Sequence, residues 1–275
     1  MNAIALLTFE PTENQIRFYT KFKHEGYDVF IVVDNNNYAR RDSGIKLIQI
    51  DDSICVSEGF VNLNPTITMR TQRSCSAWDK ALYYFTKVNG AYQNIWFIED
   101  DVFVPAVQAI VNMDRKYEEA DIISNANTIN KTGELESWDW YKFIPPERLP
   151  LPWASSMVCA VRLSRSLLRC VDSFLSLNKD FKSNEKEMIG RYFFIEYIFH
   201  TLALHNKLKV IVADELSDVV LQRSWQPQDI NDDFLYHPLK SLFLHEVYRT
   251  KFGRRILYPV AKTLLPVGLR GMIFG

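Results

Sequence analysis

Three apolar runs in the first hundred residues each stop on acid, and this spacing constrains the fold more than any other feature. Ile4–Phe9 runs into Glu10, Tyr27–Val33 into Asp34 and three asparagines, and Asn94–Ile98 into Glu99-Asp100-Asp101. Short β-branched and aromatic runs of this kind read as buried strands. Between the first two, Ile16, Tyr19, Phe22 and Lys23 keep helical spacing from Pro11 to a stop at Gly26. Between the second and third lie a further strand candidate, Ile45–Ile50, closed by Asp51-Asp52, and a helix over 70–88 that carries Trp78, Ala81, Leu82 and Phe85 on one side. Another helix opens at Pro105, where a missing N–H costs little. Alternation of this type predicts an α/β fold with a mostly parallel central sheet and helices on both faces. Ligands of such sheets bind beyond the carboxyl ends of the strands, which is where the acids fall.

The second half is less regular. Asp121–Ser124, Trp153–Val161 and Lys209–Val212 read as strands, and 164–177 and 188–205 as helices. Trp138–Pro152 reads as a loop and Lys179–Glu187 as a polar connection. The chain has 275 residues and a formal net charge of −1, so it can bury a full-sized core but has no electrostatic case for binding nucleic acid. Cys55, Cys75, Cys159 and Cys170 are widely spaced, with no C-x-x-C pair, and are expected to be reduced thiols. The first residues lack the basic start of a signal peptide, and no apolar run is long enough to cross a membrane. A cytoplasmic protein is the expectation.

Trp96-Phe97-Ile98-Glu99-Asp100-Asp101-Val102-Phe103 carries the chemistry. Three consecutive carboxylates at a sheet edge repel one another unless a cation sits among them, and Mg²⁺ or Mn²⁺ commonly bridges such carboxylates to substrate phosphates. A bare acidic triplet can equally be a solvated loop; the strand before it and the helix after it favour a site. Strand, Glu-Asp-Asp, then an apolar-aromatic pair resembles the Asp-x-Asp element of the GT-A glycosyltransferases, with a layout similar over roughly residues 3–245. The resemblance implies a GT-A, Rossmann-like domain over 1–245 that uses Mn²⁺ or Mg²⁺ and a nucleoside-diphosphate sugar, with a carbohydrate or glycolipid as acceptor.

On that resemblance, Asp101 is expected at the metal, His237 at the metal or a phosphate, and Glu99 at the ribose or a metal-bound water. Asp100 either joins the donor site or caps the next segment. Asp34 is expected at the base or ribose, with a turn-forming role as the alternative. Lys80 would contact the donor sugar and Lys240 the diphosphate. His24, His200, His205 and His245 read as structural. Glu196, embedded among Tyr192, Phe193, Phe194, Tyr197 and Phe199, is the candidate base for an acceptor hydroxyl, since desolvation raises a carboxyl pKa towards a useful value. That favours inversion and leaves retention open. Trp138, Trp140 and Trp153 are candidates for an acceptor platform or for core.

After Glu246 no acid occurs, while Arg249, Lys251, Arg254, Arg255, Lys262 and Arg270 alternate with apolar residues. This stretch, 246–275, is expected either to lie on the inner face of an anionic membrane or to dock on the domain or a second subunit. Two rival readings remain. A sugar nucleotidyltransferase shares the architecture, but it begins with a Gly-rich phosphate loop, and Thr8-Phe9-Glu10-Pro11-Thr12 contains no glycine. A carbohydrate-binding relic of the fold, without turnover, is the other.

Overall fold

The computed structural model describes residues 1–39, 44–71, 73–179, 193–257 and 263. Its centre is a seven-stranded sheet built from β1 (Asn2–Thr8), β2 (Asp28–Val33), β3 (Lys46–Ile48), β4 (Asn94–Glu99), β5 (Ile122–Ser124), β8 (Ala160–Ser164) and β9 (Val210–Val212). The order is β3-β2-β1-β4-β8-β5-β9, parallel except for β8, which runs antiparallel to both β4 and β5. This is the mostly parallel α/β sheet that the sequence predicts. Two short ribbons flank it: β6 (Thr128–Asn130) with β7 (Trp153–Ser155), and β10 (Asp218–Val219) with β11 (Tyr236–His237).

Alternate residues of each central strand feed opposite cores, as a two-residue period demands. On one face Ala5, Leu7, Phe30, Val32, Ile95 and Phe97 pack with Trp78, Ala81, Leu168 and Phe199. These last come from α4 (Ala77–Tyr83), α6 (Arg165–Leu177) and α7 (Ile195–His205). On the other, Ile4, Leu6, Val29, Ile31, Trp96 and Ile98 pack with Ile16, Tyr19, Ile110 and Met113. Those helical residues belong to α1 (Glu13–Thr20) and α5 (Val107–Lys116). Helices therefore cover both faces. Burial on both sides explains why these strands read as unbroken apolar runs.

Several expected boundaries shift for local reasons. Asp51 does not simply close a strand; its carboxylate accepts the Ser53 N–H and caps α2 (Asp52–Ser57). The helix expected over 70–88 is two helices, α3 (Pro65–Thr71) and α4, because Ser76 and Asp79 form a capping box that starts α4 afresh. Trp153–Val161 is not one strand: β7 and β8 belong to different sheets. The helix expected from 188 begins at Ile195 among the described residues, and 180–192 lie outside them. Gly26 does stop its helical turn, at a φ of 85°.

The domain boundary expected at 245 falls inside α8 (Leu242–Tyr248). Beyond it, the Arg249 guanidinium lies 3.5 Å over the Phe18 ring and donates to the Val104 carbonyl. Arg254 is buried, pairing with Asp232 and donating to the Tyr248 carbonyl. The chain thus stays docked on the domain at least to these residues; 258–262 and 264–275 lie outside the described residues. Among the described residues no helix is long and apolar enough to cross a membrane.

One buried ion pair ties the second half of the chain to the first. Arg162 on β8 is 1% exposed and meets Asp114 of α5 at 2.8 Å. Its guanidinium also donates to the Tyr117 and Ala120 carbonyls, while Asp114 accepts from Trp96 Nε1 and the Tyr27 hydroxyl. Removing one partner leaves the other charge buried and unpaired. Asp114→Ala should therefore destabilise the protein by about 3–5 kcal/mol, read as a lower urea midpoint. Replacing both partners with apolar residues of similar volume should recover most of that loss.

Candidate active site

The carboxyl ends of β1, β2 and β4 open onto one cavity of about 610 Å³. Between β1 and β4 the strand order reverses direction, the position where sheets of this type bind ligands. Asp34, Glu99, Asp100, Asp101, Glu196, His237 and Lys240 all line this cavity. Residues as far apart in sequence as 34 and 240 are thereby brought together.

At the end of β4 each acid has a different partner. Glu99 accepts the Trp78 indole N–H at 2.6 Å, and Trp78 is wedged against Phe97 and Phe199. The capping box at Ser76 and Asp79 fixes the start of the helix that carries this indole. Asp100 turns back to β1, where the Thr8 hydroxyl donates to it at 2.6 Å. Burial pushes both carboxyls up from their ordinary values, and the neighbouring Asp101 adds to the effect. Burial acts on Asp101 in the same sense, but there His237 and Lys240 prevail and hold it below its ordinary value.

His237 is placed by backbone. Tyr236 and Phe103 exchange N–H···O bonds, and Leu239 N–H donates to the Asp101 carbonyl at 2.7 Å, so the segment runs alongside the acidic turn. His245, on α8, donates to the Leu239 carbonyl from behind. The imidazole Nδ1–H donates to the Val220 carbonyl at 2.6 Å, which turns Nε2 towards Asp101 Oδ1, 3.3 Å away. A neutral ring in that tautomer faces the carboxylate lone pair to lone pair, so a proton or a cation belongs between them. Burial works against the protonated ring; the Asp101 carboxylate outweighs it and raises the imidazole pKa.

Glu196 stands in the first turn of α7, and burial together with Glu99 pushes its pKa to about 8. Trp138 and Trp140 line the cavity beside Phe194, with the Trp140 and Phe194 ring centroids 4.8 Å apart. Trp153 does not: it is buried, its indole bonded to the Leu149 carbonyl, and belongs to the core.

Lys80 departs from expectation. It is fully buried and absent from the cavity lining, and its ammonium donates to the Asp34 carbonyl and to Asn36, 3.0 Å from Asp52. Arg73, paired with Asp52, reaches the Asp34 carboxylate at 3.0 Å. Lys80 thus braces Asp34 from behind, away from the cavity. Burial raises the Asp34 carboxyl pKa against the pull of these two cations. His200 and His205 are structural, bonded to Ser124 and to the Pro152 carbonyl.

Sequence reasoning missed Cys159. Pairing of Ile98 with Ala160 in the antiparallel β4–β8 register sets Cys159 opposite Glu99, and Glu99 N–H donates to its carbonyl at 2.8 Å. The donor atoms of Glu99, Cys159 and His237 all lie within 4.8 Å of one another.

No known protein family matches the chain, and no curated protein matches it. Among solved structures it is similar to the apo form of mouse xyloside xylosyltransferase 1, at 11% identity and a TM-score of 0.35, over 78% of this chain and 86% of that one. That likeness is one of outline, and the chemistry of the cavity stands without it.

Proposed function

We propose that this chain is a metal-dependent glycosyltransferase of the GT-A type that moves a sugar from a nucleoside-diphosphate donor to an acceptor hydroxyl of a glycan or glycolipid. One observation carries the reading: the acidic end of β4, His237, Lys240, Asp34 and Glu196 share one cavity at the point where the strand order reverses. A nucleotidyltransferase is disfavoured by the β1–α1 turn, which contains no glycine.

The donor set suits a divalent cation. Glu99, Asp101 and His237 offer oxygen and imidazole ligands, and the facing lone pairs of Asp101 and His237 call for positive charge between them. Bound there, Mn²⁺ or Mg²⁺ would neutralise charge building on the leaving diphosphate. Lys240, exposed at the rim, adds a second positive charge on the same side. Asp34, held by Arg73 and Lys80, presents a fixed acceptor for a base or ribose. Glu196 takes the proton of the acceptor hydroxyl as that oxygen bonds to the sugar's anomeric carbon. The bond from that carbon to the diphosphate breaks, and the nucleoside diphosphate leaves with the electron pair. Attack of this kind inverts the anomeric centre. Trp138 and Trp140 give the acceptor apolar faces on which to stack.

Peripheral contact with an anionic membrane belongs to the same reading. Arg249 and Arg254 are committed to the fold, but Lys251 and Arg255 are exposed near Phe252 and Ile256, which are 56% and 48% exposed.

Asp101→Asn should abolish transfer and weaken nucleoside-diphosphate binding, with the circular dichroism spectrum unchanged; full activity under exhaustive chelation would refute the metal requirement. Because Glu196 acts ionised, kcat should rise with pH through an inflection displaced upward from the ordinary glutamate value towards about 8. Glu196→Gln should remove that inflection and lower kcat by roughly two orders of magnitude or more with donor affinity retained. In liposome sedimentation, Lys251→Glu with Phe252→Ser should release the protein from anionic vesicles, as should high salt. A full-length protein that ignores such vesicles would end the membrane assignment.

A further inference from the structure

Hard cations of the kind proposed above are held by oxygen, yet this cavity also presents sulfur. Cys159 Sγ lies within 4.8 Å of both a Glu99 oxygen and a His237 ring nitrogen, and the residue lines the cavity. The placement follows from backbone pairing: the β4–β8 register sets Cys159 opposite Glu99. The His237 ring is pre-set as well, since a metal-binding imidazole typically donates its other N–H to a carbonyl or carboxylate, as Nδ1 does here to Val220. Asp101 Oδ1 lies 3.3 Å from His237 Nε2, beside this set of a carboxylate, an imidazole and a thiol. Three protein ligands of sulfur, nitrogen and oxygen with a fourth position left open suit Zn²⁺, whereas Mg²⁺ demands octahedral oxygen.

We infer that Cys159 is a metal ligand, and that through it the cavity binds borderline cations, Zn²⁺ or Co²⁺, in preference to Mg²⁺. The inference rests on the cavity being a divalent-cation site, but not on sugar transfer. Binding converts the Cys159 thiol to a thiolate bonded to the cation and releases one proton to solvent. A divalent charge favours the thiolate wherever a thiol coordinates. The other three cysteines do not belong to this donor cluster.

The test is cobalt titration of the chelator-stripped, full-length protein with no nucleotide or sugar present, so failure of the transferase reading does not bear on it. Wild type should develop a thiolate-to-cobalt charge-transfer band in the near ultraviolet at one equivalent. It should release one proton per cation in weak buffer. Cys159→Ser should keep cobalt binding through Glu99, Asp101 and His237 but lose both the band and the proton. Its Zn²⁺ affinity should fall by an order of magnitude or more while its Mg²⁺ affinity holds. The inference is overturned if wild type binds cobalt without a sulfur band, or fails to bind it. Persistence of the band in Cys159→Ser overturns it too, because the sulfur is then another cysteine. The wild-type spectrum decides even if the variant does not fold.

Discussion

Negative charge held out of water at the end of β4 is the constraint around which the site is organised. Glu99, Asp100, Asp101 and Glu196 share one partly desolvated cavity, and burial disfavours the ionised form of each. Each acid is given a different remedy: an indole N–H for Glu99, the Thr8 hydroxyl for Asp100, an imidazole for Asp101. Glu196 has none of these, and burial together with Glu99 pushes its pKa to about 8. Carboxylates set apart in this way can take separate tasks, one group ionised beside positive charge and another poised to accept a proton.

The same division explains the supporting architecture. Trp78 can hold Glu99 only because a capping box fixes the start of its helix, and that helix packs on the core face that holds Phe97. Asp34 has a buried Lys80 and a half-buried Arg73 behind it, both spent on positioning. His237 arrives from far along the chain, and backbone hydrogen bonds to Phe103 and Asp101 set it in place. Helix, sheet edge and late segment thus meet at one triplet of acids.

The parts legible in sequence were those governed by local rules. β1, β2 and β4 announce themselves because central strands buried on both faces must be apolar throughout, and the acids after them mark the open edge. Asp34, Glu99, Asp101, Glu196 and His237 were all picked out, and all face the cavity. Lys80 is ambiguous in sequence because helical spacing does not tell whether a lysine reaches outward to the cavity or inward to Asp34 and Asp52. Cys159 was invisible because its neighbour is chosen by an antiparallel register sixty residues away from Glu99 in sequence. β8 itself hid a buried arginine, whose partner Asp114 lies on α5. Trp153 could not be separated from Trp138 and Trp140 by composition; only the fold puts it on the dry side.

His245 gives the C-terminal helix a second meaning. It donates to the Leu239 carbonyl, Leu239 in turn donates to the Asp101 carbonyl, and His237 sits two residues before. Arg249 and Arg254 clamp the chain just beyond, onto Phe18 and Asp232. The chain out to Arg254 is therefore mechanically in series with the acidic turn. A load applied at the exposed Arg255 and Ile256, as by a surface that grips them, is borne first by those two arginines and next by α8. After that it reaches the imidazole facing Asp101, before any strand of the central sheet has to give.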